Sequence, residues 1–474
     1  MAKTPPRRSH RRLIRCLPLA LVLALLAAAC GGDDGTTSTR DTASEATTPA
    51  EAADIPEPSD EPDATASEAA DAGSESDSAS DSGEAVVLSF VGPETPEAMA
   101  PVIAAFEEQN PMITVEYESV PFNDLNSIIQ TRVGAGDSDP DVYTADQPRI
   151  AALVDRGLLL DITDEVGDIS DLVIQSSIDA STVDDRLYAL PISTSTQLLY
   201  YNSALLEAAG TDLPSMDPAD RLTWEQVRTD AAAAQEAGAE FGMMWDQVNR
   251  YYQLQPLPES AGGGSGVGPD ELDIDVTGDG WVQAMTYYGD AFADGLAARG
   301  VPPEQTPDMF ASGQVAYFVG GPWWLPTFDD AEGLEFGVAP HPYFEGGEEV
   351  TPTGAWSWGV SSSSDHPQEA LQFIQFAALD DDGALATAQG FPLPPANLST
   401  FESYYADNQV VDGVAELISY ELENTSRIRP RTRGYVELEE FMGQAFEDIR
   451  NGSDPAETLQ AAQENIQQAW SRLE

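Results

Sequence analysis

The chain of 474 residues contains two cysteines, three histidines and a single lysine, Lys3. Cys16 and Cys30 both fall within the first 30 residues, so the rest of the chain has no thiol. Disulfides, zinc–thiolate sites and cysteine nucleophiles are therefore excluded from the body of the protein. Beyond His10 only His341 and His366 remain, and neither forms an HExxH or a paired-histidine ligand spacing. Both are expected at the surface or in a turn. Cations are scarce too: 21 basic residues face 82 acidic ones, for a net charge of -61. Such a surface repels phosphate backbones, which argues against nucleic acid as a partner. It also repels itself, so the melting temperature should rise from low to molar salt; a flat or falling curve would contradict that.

What is present begins with a basic run, Arg7-Arg8, Arg11-Arg12 and Arg15, followed by the apolar stretch Leu17 to Ala29. That stretch is too short for a settled membrane span and reads as a signal peptide over residues 1–29. Small residues lead up to Cys30-Gly31-Gly32. This resembles a bacterial lipoprotein processing box, with Cys30 the lipidated first residue of the mature chain, although Ala27 stands where leucine is commoner. Arg11-Arg12 leaves twin-arginine export open beside the general route. Residues 30–84 are almost wholly Ser, Thr, Ala, Gly, Pro, Asp and Glu. Such a composition cannot offset the entropy of ordering, and an extended acidic tether is expected.

From residue 85 the hydrophobic pattern changes. Ala85 to Val91 reads as a strand, and Thr95-Pro96 opens a helix whose Met99, Val102, Ile103 and Phe106 form one apolar stripe. Further strands are expected at Ile113 to Tyr117 and Asp141 to Thr144, with a helix between them capped by Asn123 or Asp124. A helix should follow from Gln147 to Leu158. This alternation predicts an α/β fold with a parallel sheet, and the length predicts two lobes.

The stretch Thr306 to Pro326 is the most informative. Thr306-Pro307 reads as a helix start, with Thr306 as cap, and Ser312-Gly313 as its stop. Gln314 to Val319 should be a buried strand. Gly320-Gly321-Pro322 breaks it and presents Trp323 and Trp324 at the rim of a sheet, where ligands bind in open α/β folds. In an extended segment two adjacent rings cannot both face the core, so at least one should be exposed or line a cleft.

With these residues in hand, a family resemblance is visible. FEEQNPMITVEYESVPFNDLNSIIQTRVGAGDSDPDVYTADQPRIAALVDRGLLLDIT resembles the first lobe of the extracellular solute-binding proteins of the maltose-binding type. Tyr188 to Pro191, Leu199 to Asn202, Leu222 to Glu225, FASGQVAYFVGGPWW, Thr353 to Trp356 and the tail from Arg427 to Trp470 are similar to later markers of that family, in order. The resemblance implies a two-lobed periplasmic-binding-protein-like fold of type II, with a ligand trapped as the lobes close. It also implies a monomer that delivers solute to the permease subunits of an ABC importer, without a cofactor, metal or catalysis. Residues 85–195 and about 350–405 would form one lobe, and 198–345 with about 410–474 the other. Sugars offer C–H faces to aromatic rings and hydroxyls to polar groups. The ligand residues implied are Trp323, with Trp324 beside it, and Trp356, with Trp358 on the same strand face. Asp146, Gln147 and Arg149 follow a strand end. Ser195 sits in the first crossing between lobes, where a relative has an acid. Glu94 lies in the first loop and could equally serve the helix dipole. Trp245, with Tyr251 and Tyr252, could wall the far side or be core. Arg431 and Tyr435 follow the Pro430 turn, taken as the third crossing.

Two motifs are decoys. Asp273 to Gly280 mimics a calcium loop, but Ala284 occupies the closing position, so Thr277 or Asp279 is expected to cap a helix instead. The glycine run 262–266 matches neither a phosphate loop nor a nucleophile elbow. A secreted glycoside hydrolase is the rival from another class, but with 82 acids a carboxylate pair could always be found and carries no weight. The same fold could instead hold a peptide or a polyamine.

Overall fold

A computed structural model describes residues 85–473 apart from 269, 355, 392 and 408–410. The leader, Cys30 and the acidic tether lie outside the described residues. The strands are β1 (Val86–Gly92), β2 (Ile113–Ser119), β3 (Val142–Asp146), β4 (Thr182–Val183), β5 (Arg186–Leu187), β6 (Leu190–Pro191) and β7 (Leu198–Asn202). They continue as β8 (Phe241–Trp245), β9 (Val315–Gly320), β10 (Phe336–Ala339), β11 (Thr351–Thr353), β12 (Trp356–Val360) and β13 (Ser426–Ile428).

Two sheets carry the fold. The first has the order β2-β1-β3-β12-β6 and the second β10-β7-β9-β8. Only β1, β2 and β3 run parallel in the first sheet; β12 is antiparallel to both of its neighbours. The three strands expected to run parallel do so, and the sheet is mixed because β12 enters antiparallel from a distant part of the chain. In the second sheet β8 and β9 are parallel, while β7 is antiparallel to β9 and β10.

Local signals behave as read in the first α/β units. Thr95 caps the helix Pro96–Gln109 by accepting from the Ala98 N–H, and Met99, Val102 and Phe106 are fully buried. Asp454 caps the last long helix, Pro455–Trp470, whose Leu459, Ala462, Ile466 and Trp470 form its buried stripe. Elsewhere capping differs. The helix Phe122–Ala135 starts after Pro121, ahead of Asn123 and Asp124, and the stretch after β3 is a short 3-10 turn followed by the helix Ile150–Asp155. Gly278, with no side chain, precedes the helix Asp279–Ala293 in the decoy loop. Thr306 lies inside its helix and donates its hydroxyl to the Asp246 carbonyl at 2.8 Å, which ties that helix to the end of β8.

Each sheet has its own hydrophobic core. Residues from Leu88 to Ile192 and from Trp358 to Ala396 pack around the first sheet. Residues from Leu198 to Phe344 and from Phe401 to Trp470 pack around the second. The chain therefore passes between cores at 193–197, around 345–357 and at 397–400. The last passage precedes the Pro430 turn expected from sequence, since Phe401 already belongs to the second core. β13 instead runs beside β11 along the hinge. His341 is buried, contrary to expectation: its N–H donates to Glu421, and the Arg221 guanidinium bonds both its carbonyl and Glu421. Burial, with the Arg221 charge, pushes its imidazole down to about 3.

Candidate functional site

The strand ends of both sheets converge on one buried hub. At the end of β3, Asp146 accepts a bidentate pair from Arg429, at 2.7 and 3.2 Å. The Arg429 guanidinium lies 5.2 Å from the centre of the Tyr252 ring. Burial works against that charge, but Asp146 more than offsets it and holds Arg429 above the ordinary arginine range. Tyr252 shares a 2.9 Å hydrogen bond with the Ser195 hydroxyl, which also donates to the Gly354 carbonyl. On its other side the Tyr252 ring stands 6.3 Å from the Trp323 ring. An unbroken set of contacts thus runs from the first sheet, through the hinge, to the second.

Trp323 and Trp324 follow β9 in a 3-10 turn, Pro322–Trp324, so the alternation argument for an extended segment does not apply. Both rings are half-buried. A side chain at Gly321 would occupy the space of the Trp323 ring, so glycine is required there for the ring to fold back. The Gly321 carbonyl is fixed by the Tyr200 hydroxyl at 2.7 Å. Trp323 Nε1 donates to Asp246, the residue after β8, at 3.2 Å. Burial pushes the Asp246 carboxyl up to about 6, partly offset by the indole N–H groups of Trp324 and Trp323. Trp324 stacks on Phe328 at the edge of the second core.

Several expected site residues are committed elsewhere. Trp245 is fully buried against Trp224, Tyr288 and Phe292, and is core. Tyr251 and Tyr435 are core as well. Trp358 stacks on Phe373 inside the first core, whereas Trp356, opposite Asp146 in the sheet, is half-buried at its edge. Arg149 is ion-paired with Glu439 and lies 3.7 Å from Asp146. Arg431 is exposed and donates to the carbonyls of Asp179 and Thr182, clamping the hinge to the first lobe. Gln147 is buried beside Gly354, and a Cβ there would stand 2.9 Å from its Oε1. Glu94 is half-buried at the end of β1, and burial raises its carboxyl to about 7, with the neighbouring Tyr117 hydroxyl acting in the opposite direction.

Arg429 and Asp246 were missed by sequence reasoning. Asp246 ends the run Met243-Met244-Trp245-Asp246 and could have been found by the strand-end rule. Arg429 stands 283 residues from Asp146, and nothing local marks the pairing. Among the described residues, no group of three or more His, Cys, Asp or Glu side chains could hold a metal ion, and no helix is long and apolar enough to cross a membrane.

Two α/β lobes with separate cores, joined by three passages of the chain and meeting at their strand ends, define a two-lobed binding-protein fold. The sequence pattern of the bacterial extracellular solute-binding proteins matches residues 92–384, well over half of the chain, and the protein belongs to that family. The maltodextrin-binding protein of Bacillus subtilis is 28% identical over 325 residues, covering 66% of this chain and 74% of the relative. An ABC substrate-binding protein of Listeria monocytogenes, solved with cycloalternan, superposes with a TM-score of 0.72 at 22% identity, over 82% of this chain and 100% of that one. The GacH receptor of Streptomyces glaucescens, solved unliganded and with acarbose, gives a TM-score of 0.69 at 22% identity, over 82% and 98%.

Proposed function

We propose that the protein captures a sugar or short oligosaccharide between its lobes and passes it to the membrane subunits of an ABC importer, without catalysing a reaction. In this reading it acts as a monomer held at the outer face of the membrane by a lipid on Cys30. The lobes are residues 85–195 with about 350–400, and 198–345 with about 401–474. Trp323, Trp324 and Trp356 supply flat faces, and Glu94, Gln147 and the Asp146–Arg429 pair supply polar ones. The observation that carries the reading is Trp323. Its N–H is satisfied by Asp246, so what remains for a ligand is the ring face, which suits the C–H face of a sugar. The relative named for maltodextrin binding supports the same ligand class. The basic run, the apolar stretch and the small residues before Cys30 support the anchor.

Closure follows from shared contacts. A ligand touching both lobes binds the closed form better, and it shifts the open–closed equilibrium by that difference alone. The test is tryptophan fluorescence titration with maltose, maltotriose and acarbose, together with chromatography of each sugar after incubation. Saturable quenching with intact sugar is expected. Appearance of shorter products would favour a hydrolase, and absence of quenching by all three would remove the sugar reading.

A further inference from the structure

One carboxylate lies beneath the aromatic rim of the second lobe. Asp246 follows β8 and is only 3% exposed, and its backbone is fixed from two sides. Its N–H donates to the Val319 carbonyl of β9 at 2.9 Å, and its carbonyl accepts from the Thr306 hydroxyl at 2.8 Å. From this anchored position Oδ2 accepts the Trp323 indole N–H at 3.2 Å. The turn at Gly321 lets the ring fold back, and the bond to Asp246 sets how its face is turned. Burial is the main influence on the carboxyl and pushes it up to about 6, against the indole N–H groups of Trp324 and Trp323 and the Arg250 charge. Tyr200, from β7, and Tyr252 are also near enough to feel its charge. Beyond Tyr252 stand Arg429 and Asp146. The folded value lies above the unfolded 3.8, so the group's contribution to stability is present below pH 3.8 and is lost as pH rises through about 6. At neutral pH the fold therefore carries a buried carboxylate that works against its own stability, which points to a role beyond holding the fold.

We infer that Asp246 is a positioning residue for the captured solute: without touching it, the ionised carboxylate holds the face of the Trp323 ring in place, and protonation loosens the ring and weakens capture. The inference rests on the sugar-binding reading and adds to it a dependence on pH. A hydrogen bond to an ionised acceptor is about twice as strong as one to a neutral acceptor, so protonation weakens the bond that orients the indole. A ring that must be ordered as the sugar arrives takes part of the binding energy to do so, whereas a ring already fixed does not. Acid should thus weaken binding through a residue that lies outside the contact surface.

The deciding variant is Asp246→Asn, which keeps the shape and an acceptor but cannot ionise. Calorimetric binding of maltotriose to wild type should weaken about threefold to tenfold as pH falls through about 6. Near neutral pH, Asp246→Asn should bind about as weakly as wild type does in acid, and should melt no lower than wild type. Its step near pH 6 should vanish, while any step from Glu94, which titrates near 7 in the first lobe, should stay. Asp246→Leu, with no acceptor for the indole, should bind weakest. In the unliganded protein, tryptophan emission should show the same step near pH 6 and lose it in both Asp246→Asn and Trp323→Phe. Absence of that step in wild type, or its survival in either variant, would overturn the inference. So would an Asp246→Asn protein with wild-type affinity and pH profile, or one with a lower melting temperature and unchanged affinity. The emission measurement needs no sugar. If wild type bound none of maltose, maltotriose and acarbose, the sugar reading would fall, while loss of the step in both variants would still assign the positioning of Trp323 to Asp246.

Discussion

The two lobes bring different chemistry to the same hub. In the first, the strand ends offer oxygen: Glu94, Tyr117, Thr144, Asp146 and Gln147 all come from β1, β2, β3 or the turns that follow. In the second they offer rings: Trp323 and Trp324 after β9, backed by Tyr252, with Asp246 after β8 taking the Trp323 N–H. The Arg429 guanidinium belongs to the hinge and is neutralised by the first lobe while it lies over a ring of the second. On the proposed reading, a mainly polar face with the Trp356 ring at its edge and an aromatic face come from different lobes, so neither lobe alone offers the whole sugar site. Differential affinity for the closed form follows from that division.

The strongest way to break the comparison is to cut the junction. Arg429→Met leaves the buried Asp146 with only the longer contact to Arg149, which is already paired with Glu439, and should cost about 3 kcal/mol of stability, read from denaturant unfolding. A near-neutral result would mean that water reaches Asp146 and the hub is not a single unit. Within the second lobe, Trp245→Ala should cost about 3–5 kcal/mol of stability, because it opens a cavity in the core. Trp323→Ala should instead cost about 1–3 kcal/mol in oligosaccharide binding, with a nearly unchanged melting temperature. Similar effects of the two would erase the distinction between core and rim tryptophans.

Acid and base should separate the lobes as well. His341, in the second lobe, is depressed from 6.5 to about 3, so between those values the unfolded chain binds more protons than the folded one. Its contribution is present above pH 6.5 and is lost as pH falls, by at most about 1.4 kcal/mol per pH unit. Glu94, in the first lobe, is raised from 4.5 to about 7, so the folded chain binds more protons in that window. Its contribution is present below pH 4.5 and is lost as pH rises through 7. Between pH 4.5 and 6.5 the two groups act with opposite sign, so His341→Gln should lower the slope of stability against pH there and Glu94→Gln should raise it; a change of the same sign in both would refute one of the two burial effects. The smallest effect is expected at Asp454, a cap remote from the hub, where Asp454→Ala should cost about 1 kcal/mol of stability and nothing in binding.

The sequence by itself determined the elements whose causes are local. The stripe of Met99, Val102 and Phe106, the cap at Asp454, the buried strand Val315–Gly320 and the glycine turn that presents Trp323 each depend on neighbours within a few residues. Acid excess and the absence of thiols beyond Cys30 are likewise properties of the sequence itself. Only the tertiary structure decided which tryptophans are core. Trp356 and Trp358 share one strand, yet the second stacks on Phe373 in the interior while the first stays at the edge. It also decided that His341 is buried and that Asp146 is paired with Arg429. Burial and charge pairing depend on which distant segments meet, and the hinge brings residues 146 and 429 together through packing that no local pattern encodes.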